Sequence, residues 1–488
     1  MSLLKKLAGE TALYGLSSIA GRFINYIVLT PLHTRVFTPG EYGVVGELYA
    51  WSGFLMVLFS YRMESGFFRF GNEPEQRNIA YSTGLMSLLA STFGLLALFL
   101  ALSGTIAGWL DYERNPEYIQ YFAFILALDC LSELPFAQLR LTQRPMRFVM
   151  ARLLNIGVNV VLNLFWLLYC PWAAQHGQTW VHEVWSPGIG VGYVFLANLI
   201  SSAAMLLFLS PQIFGIQFRF DRVLWKKMVL YSAPLIISGL AGIVNETLDR
   251  AMMTRLLTGT AAANKAQLGI YSANYKLAML ITLFTQAYRY AAEPFFFRTA
   301  QNADALKIQA NTTKWFTIAG STAMLGILLY LDILKNFLGA QYHSGLQIVP
   351  ILLLANLFLG LFYNFSVWYR LKDRTATGAW IAIAGAGITL LLNIWWVPVM
   401  GYMGAAWATL VCYLFMSGTT WYLGRKIHPV PYPLLRIGLF IGVALLLYGV
   451  SVVIRPFLPS FGVIMAINTL LLGGYLVWVV REYKTSET

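Results

Sequence analysis

The sequence predicts an all-α polytopic membrane protein with fourteen transmembrane helices, arranged as two six-helix lobes in parallel repeat followed by two C-terminal helices. Three observations lead to this fold class. First, the 488-residue chain is 58% hydrophobic and only 11% charged, less than half of the roughly 25% charge that soluble domains carry. Second, apolar runs long enough to cross a bilayer recur along its whole length. Third, segments of the first half reappear in the second.

Fourteen apolar runs of about 20 residues have the length that crosses the hydrocarbon core. They cover residues 11–31, 43–61, 80–102, 117–139, 148–170, 190–210, 229–254, 268–291, 314–334, 345–369, 377–397, 402–423, 435–454 and 460–480. No small-residue cleavage site follows the first run, so we expect a permanent span rather than a removable signal.

The positions of lysine and arginine predict the orientation of these spans. Fourteen is an even number, so both termini lie on one side of the membrane. The termini and the even-numbered loops hold 24 of the 34 Lys and Arg residues, and the opposite loops hold 6. Because basic residues concentrate in cytoplasmic loops, both termini are predicted to be cytoplasmic. This distribution also explains the net charge of +13 without a nucleic-acid partner.

Four pairs of segments match in chain order and predict an internal repeat. Asn25 and Thr34-Arg35 of the first span correspond to Asn245 and Thr254-Arg255 of the seventh, 220 residues later. Three further pairs follow, the first two at an offset of 230: RLTQR (140–144) with RLKDR (370–374), LNLFW (162–166) with LNIWW (392–396), and PGIGVGY (187–193) with PVMGYMG (398–404).

The repeat predicts three domains: an N-terminal lobe at 1–215, a C-terminal lobe at 216–424 and a C-terminal helix pair at 425–488. Since each lobe contains an even number of spans, both copies have the same orientation. Paired lobes of this kind are typical of secondary transporters, which hold substrate between the lobes and alternate access by rocking.

Two long segments carry a resemblance to a known family. They are LYGLSSIAGRFINYIVLTPLHTRVFTPGEYG at 13–43 and LGIYSANYKLAMLITLFTQAYRYAAEPFFF at 268–297. They resemble the oligosaccharide-lipid flippases of the polysaccharide transporter family, within the multidrug/oligosaccharidyl-lipid/polysaccharide exporter superfamily. The resemblance implies a multi-pass protein of the bacterial inner membrane that moves an undecaprenyl-pyrophosphate-linked glycan to the outer leaflet. Its implied role is O-antigen, capsule or exopolysaccharide assembly.

The resemblance also implies partners and a site. The partners are the lipid-linked oligosaccharide and membrane lipid, and a polysaccharide polymerase and a chain-length regulator could accompany them. The implied site is a cationic cavity between the lobes. Arg22, near the middle of the first span, is our candidate to meet the pyrophosphate, because a guanidinium donates paired hydrogen bonds and stays charged. The alternative for Arg22 is a structural ion pair with Asp129 in the fourth span.

A charged side chain in hydrocarbon costs about 2.5–3.5 kcal/mol on insertion scales, so it normally faces a partner or a wet cavity. In the seventh span Glu246, Asp249 and Arg250 share one helix face. Asp249 lies at the depth of Lys276 in the eighth span, which predicts either a salt bridge or a role in the cavity. Glu246 and Arg250 can pair within their own helix. Near the ends of the second span, Glu47 and Glu64 are expected to be interfacial.

These residues form two predicted sets. The substrate-binding set is Arg22, Asn25, Arg250, Lys276 and Arg289. The gating or ion-coupling set is Asp129, Glu246 and Asp249, whose carboxylates could bind a coupling Na⁺ or H⁺.

The sequence does not indicate an enzyme, a resident cofactor or a metal site. Cys130, Cys170 and Cys412 stand alone, the histidines are scattered, and the GxxxxGK[ST] loop of nucleotide-driven proteins is absent. Three alternatives to the glycan flippase remain: a cation-coupled multidrug exporter of the same superfamily, a lipid II flippase, and a membrane polymerase or ligase. The last would need a larger loop than the longest one here, Pro171 to Gly190.

Overall fold

A computed structural model describes residues 23–215, 219–300, 302, 304–457 and 460–487. Within these ranges the secondary structure is helical, without a strand, and each of the fourteen predicted spans overlaps a helix. Nine of the described helices are long and apolar enough to cross a membrane, and a helix pair bent by 63° gives a tenth candidate. The all-helical, multi-pass membrane class is therefore confirmed, while the count of fourteen and the orientation stay predictions.

The chain divides by packing into two compact units, Met1–Gly269 and Ile270–Thr488. The predicted domain boundaries at 215/216 and 424/425 rest on the sequence repeat, which is a different criterion, and they stay predictions.

The first unit is built from helices of very different length. They are α1 (23–36), α2 (Pro39–Ser60), α3 (Met63–Phe70), α4 (Pro74–Ala101), α5 (Ser103–Trp109), α6 (Glu117–Leu141), α7 (Pro145–Leu164), α8 (Cys170–Gln175), α9 (Val181–Val184), α10 (Gly192–Phe208), α11 (Ser210–Phe214), α12 (Arg222–Leu256) and the start of α13 (Ala261–Thr299). A π-helical turn, Phe165–Tyr169, joins α7 to α8.

Local sequence signals explain where α2 begins and ends. Thr38 accepts a hydrogen bond from the backbone of Glu41, and the Glu41 carboxylate accepts one from the backbone of Thr38 at 2.8 Å, which is a capping box. The helix ends where Tyr61 and Arg62 adopt left-handed φ angles of 34° and 56°, a conformation that non-glycine residues rarely adopt. Ser232 of α12 stabilises this break by donating to the Arg62 carbonyl at 3.0 Å.

The second unit contains the rest of α13 and eight further helices. These are α14 (Ala305–Leu329), α15 (Leu331–Leu334), α16 (Val349–Phe365), α17 (Val367–Leu371), α18 (Thr375–Met400), α19 (Tyr402–Ile427), α20 (Leu434–Ile454) and α21 (Phe461–Glu487). Apolar side chains of α16, α18 and α19 form one core cluster, with Phe362, Ile381 and Tyr413 among its buried members.

The turn before α7 and the turn before α18 have the same backbone conformation, 230 residues apart. Gln143 and Asp373 both have a φ of 53°. The amide of Arg144 donates to the Leu139 carbonyl at 2.9 Å, and the amide of the corresponding Arg374 donates five residues back in the same way, at 2.7 Å. The RLTQR and RLKDR segments therefore fold alike.

The two asparagines of the LNLFW and LNIWW segments also match. Asn163 and Asn393 are both fully buried, and each donates through Nδ2 to the carbonyl four residues earlier at 2.8 Å. The repeat thus recurs in local structure at these positions, while the correspondence of whole six-helix lobes stays a prediction.

A close approach at Gly43 gives a test of the packing between α2 and the start of α13. A methyl group at Gly43 would overlap the carbonyl oxygen of Lys265, and overpacking typically costs about 1–3 kcal/mol. We expect Gly43→Ala to lower the apparent melting temperature of the detergent-purified protein. Gly94→Ala in α4 is the matched control, because nothing lies within 4 Å of that position. Equal melting temperatures for the two variants would contradict the close approach.

Candidate functional site

The first unit contains a polar cavity of about 410 Å³ between α2, α3, α6, α7 and α10. Three carboxylates and two guanidiniums line it: Glu64, Asp129, Glu133, Arg140 and Arg152. Asparagine amides and serine hydroxyls complete the polar wall. Such a concentration of charge among apolar helices is typical of a substrate or ion pathway.

Asp129 is held at the wall of this cavity by a neighbouring helix. The hydroxyl of Ser202 in α10 donates to Asp129 Oδ1 at 2.7 Å. One turn earlier along α10, Asn198 donates to the hydroxyl of Tyr49 in α2 at 2.6 Å. These side-chain bonds link α10 to both α6 and α2, so the position of the Asp129 carboxylate depends on how these helices pack.

Two arginines near the predicted cytoplasmic end of the cavity, Arg140 and Arg152, contact acidic or aromatic side chains. Arg140 forms an ion pair with Glu64, and its guanidinium also lies 4.9 Å from the centre of the Phe68 ring. The guanidinium of Arg152 lies 4.2 Å from the centre of the Phe136 ring. Cation–π contacts of this kind are strongest where water is excluded.

A second polar cluster joins the predicted outer ends of α2, α12 and α13. Glu47 is only 1% exposed, and it accepts hydrogen bonds from the hydroxyls of Tyr112 and Thr254. Lys265 donates to the Asp111 carbonyl at 2.6 Å, and its ammonium lies 3.9 Å from the centre of the Tyr112 ring. Hydroxyl donors from distant segments thus allow the Glu47 carboxylate to be buried in the protein, while its position at the membrane interface stays a prediction.

Two residues of this cluster, Tyr112 and Lys265, lie outside the predicted spans, and their surroundings shift their side-chain pKa values. Burial, together with the nearby Glu47 carboxylate, raises the pKa of Tyr112 well above its ordinary value. Burial lowers the pKa of Lys265, and the carboxylates of Glu47 and Asp111 oppose that shift. Tyr112 therefore stays a neutral hydrogen-bond donor to Glu47 throughout the physiological pH range.

The predicted polar face of the seventh span is present on α12. Asn245 and Asp249 are buried, at 7% and 4% exposure, whereas Glu246 is exposed. Arg250 Nε lies 3.5 Å from Asp249 Oδ1, and its Nη2 donates to the backbone carbonyl of Glu246. Arg250 thus contacts an adjacent carboxylate as well as the residue one turn earlier.

The other predicted site residues lie elsewhere. Asn25 is half-buried in α1, and its Oδ1 has no hydrogen-bond partner among the described residues. In the second unit Lys276 is half-buried, and the Arg289 guanidinium lies 3.7 Å from the centre of the Tyr363 ring. Arg22 lies outside the described residues. Of the predicted residues in the described ranges, only Asp129 lines the 410 Å³ cavity.

The sequence did not connect with Asp129 three of the polar residues that share this cavity. Glu64, Arg140 and Asn198 come from three different helices, so no spacing within one segment connects them. The one available signal was depth, since each lies within or at the end of a predicted span.

Comparison with known proteins shows the family of this chain. Residues 7–300 match the family described as "Polysaccharide biosynthesis protein". A curated relative, the uncharacterized membrane protein YabM of Bacillus subtilis (strain 168), is 25% identical over 237 residues. This alignment spans 46% of the present chain and 44% of YabM, less than half of the relative's length.

Several solved structures share the fold. The lipid II flippase MurJ in an inward closed conformation has a TM-score of 0.75 at 13% identity, over 96% of this chain and 99% of that one. An inward-facing multidrug resistance MATE family transporter of the MOP superfamily has a TM-score of 0.66 at 12% identity, over 88% and 95%. The MATE multidrug transporter DinF-BH has a TM-score of 0.59 at 13% identity, over 88% and 97%. By their titles these proteins are a flippase and transporters, not enzymes, and at such identities they establish the fold alone.

The buried Glu47 cluster gives a prediction about stability. Tyr112→Phe removes one donor from a buried carboxylate, which typically costs about 1–3 kcal/mol, so the apparent melting temperature in detergent should fall. Tyr330→Phe is the matched control, because its hydroxyl makes an exposed 2.7 Å bond to Thr469. If both variants melt at the wild-type temperature, Glu47 does not depend on Tyr112.

Proposed function

Because the chain belongs to the polysaccharide biosynthesis protein family, we propose that it is a flippase for lipid-linked oligosaccharide. Its substrate in this proposal is an undecaprenyl-pyrophosphate-linked glycan, moved across the bacterial inner membrane by alternating access for O-antigen, capsule or exopolysaccharide assembly. One observation carries the proposal: a chain of this family has, over 96% of its length, the fold of a lipid II flippase. That protein's substrate, by its title, is also a lipid, which makes a lipid-linked glycan the natural cargo.

The proposed role of Arg22 is to hold the pyrophosphate of the substrate. The support is its position near the middle of the first predicted span and the suitability of a guanidinium for phosphate. Asn25, one helical turn further along, has a buried amide oxygen without a partner among the described residues. Their i, i+3 spacing in the first predicted span predicts a shared helix face that would meet a polar head group. Arg250, Lys276 and Arg289 are the other proposed cationic contacts.

The proposed role of Asp129 is to couple transport to a Na⁺ or H⁺ gradient. Support comes from its position on the wall of a 410 Å³ polar cavity and from the Ser202 hydroxyl that orients its Oδ1. A carboxylate with an oriented oxygen and a wet neighbourhood can bind a cation and release it when the helices shift. Glu246 and Asp249 on α12 are the proposed gating residues.

A second candidate function, cation-coupled multidrug export, is favoured by two observations. The described cavity is lined by three carboxylates, which would suit a cationic drug, and MATE multidrug transporters share the fold at a TM-score of 0.66.

A deletion strain separates the candidates. Loss of surface polysaccharide supports the glycan flippase, drug sensitivity with intact polysaccharide supports the exporter, and lethality supports a lipid II flippase. Purified protein that joined glycan units would instead indicate a polymerase or ligase.

Arg22 can be tested by complementation of a deletion strain. Loss of a charge-assisted hydrogen-bonding group costs about 1.5–3 kcal/mol, so we expect Arg22→Gln to reduce surface polysaccharide by about tenfold or more. Arg22→Lys should restore part of the export, because it keeps the charge and loses the paired geometry. Arg69→Gln, at an exposed arginine at the end of α3, is the control. Wild-type export by Arg22→Gln, at equal expression on immunoblots, would remove this residue from the mechanism.

Asp129 can be tested in proteoliposomes with a fluorescent lipid-linked oligosaccharide. Wild-type protein should flip the substrate faster when a Na⁺ or H⁺ gradient is imposed, and Asp129→Asn should flip it at one rate with or without the gradient. The control is Asp304→Asn, because Asp304 is 69% exposed and pairs across one helical turn with Lys307. A full gradient response from Asp129→Asn would assign coupling to another residue.

A further inference from the structure

A second cavity in the first unit has no part in the proposed transport path. Its volume is about 330 Å³, and it lies where the turn between α6 and α7 meets α11. Its polar lining consists of Gln138, Thr142, Arg144, Arg147 and Gln212. Among the described residues that line it, two are arginines and none is acidic. The positive charge of the cavity is therefore not balanced from within its own wall.

The start of α7 adds to this positive charge. The helix runs for 20 residues from Pro145, and no side chain caps its first turn. The N-terminal amides of a helix this long carry a partial positive charge and bind anions readily. Arg144 stands at the N-cap position and Arg147 within the first turn, so two full charges lie beside the helix terminus.

A buried glutamine positions one of the two arginines. Gln212 is only 7% exposed. With its amide group oriented to donate to the Leu209 carbonyl at 3.0 Å, its oxygen accepts from Arg147 Nη1, also at 3.0 Å. A guanidinium has five N–H donors, and this bond uses only one of them. The arrangement fixes the side chain of Arg147 at the wall of the cavity.

Large exposed apolar side chains are close in sequence to the residues that line the cavity. Met146, between the two arginines in sequence, is 62% exposed, and Phe214, two residues after Gln212, is 74% exposed. Leu207 near the end of α10 is also 74% exposed. Exposed apolar groups beside a cationic pocket match an amphipathic ligand whose anionic head sits in the pocket and whose chains lie along the helices.

The repeated turn in the second unit shows that the fold does not require both arginines together. Arg374 occupies the position of Arg144 and adopts the same turn, but Thr377 stands in place of Arg147 and Asp373 in place of Gln143. The second copy thus keeps the backbone conformation with one guanidinium fewer and one carboxylate more. Since the turn forms without the pair, the pair in the first copy needs another explanation.

We propose that this cavity binds a phosphate-bearing anion, with the head group of an anionic phospholipid or free phosphate as its source. The even-numbered loop that contains Arg144 is predicted to be cytoplasmic, and basic pockets between membrane helices on that side bind anionic lipid head groups. This proposal does not depend on the transported substrate.

Binding to the full-length detergent-purified protein tests the site. The probes are dioctanoyl phosphatidylglycerol, the zwitterionic dioctanoyl phosphatidylcholine and inorganic phosphate, each titrated while the apparent melting temperature is measured. We expect wild-type protein to bind phosphatidylglycerol at least tenfold more tightly than phosphatidylcholine. Arg144→Gln/Arg147→Gln should weaken that binding by about tenfold or more, the effect of losing a charge-assisted bond. Arg374→Gln, at the same place in the repeated turn, should bind like wild type.

The outcomes separate the two sources. Stabilisation by phosphatidylglycerol without an effect of phosphate identifies a lipid site, and equal competition by phosphate identifies a free-anion site; either supports the proposal. If the double variant does not fold, the single variant Arg144→Gln, which changes an exposed residue, replaces it in the same binding measurement. Binding of both lipids with equal affinity, no binding of either anion, or unchanged phosphatidylglycerol binding by the arginine variants would overturn the proposal.

Discussion

The first unit depends on how it satisfies one buried carboxylate. In hydrocarbon a polar group has no water to bond, so an unpaired group costs several kcal/mol. Glu47 meets this constraint through two hydroxyls, one 65 residues away and one 207 residues away in sequence. The carboxylate thereby connects α2 to the loop after α5 and to the end of α12. Removing either donor would leave the buried carboxylate with one hydroxyl partner instead of two.

The same constraint distinguishes structural from functional polar groups. Many buried groups bond within their own helix, as Asn163 and Asn393 do. Others join neighbouring helices: in the second unit Asn468 of α21 donates to the Leu329 carbonyl at 2.6 Å and contacts the Ser451 hydroxyl, also at 2.6 Å. Both arrangements satisfy the backbone or the side chain and stabilise packing. Asp129 differs because its carboxylate also borders an open cavity, where a polar group can exchange partners.

Much of the fold could be predicted from sequence because its signals are local. The length of apolar runs predicted the helices. The RLTQR and RLKDR segments predicted a repeat, and the φ angles of the turns that they form recur. The candidate site was harder, since its members meet only through tertiary packing. The i, i+4 spacing of Glu246 and Arg250 indicated contact within one helix, whereas no spacing connected Asp129 of α6 with Ser202 of α10, which donates to it. For the same reason Glu47 could not be recognised as buried before Tyr112 and Thr254 were placed beside it.

The repeat also helps to separate scaffold from function. A position that the fold requires should keep its residue type in both copies, and Arg140 and Arg370 do so, although Arg140 pairs with Glu64 and Arg370 donates to the Ser366 hydroxyl at 3.2 Å. Arg22 and Arg147 behave differently, since Gly242 and Thr377 replace them in the second copy. A turn or span that forms without the arginine does not need it for folding. Charges present in one copy alone are therefore the better candidates for contacts with an anionic ligand.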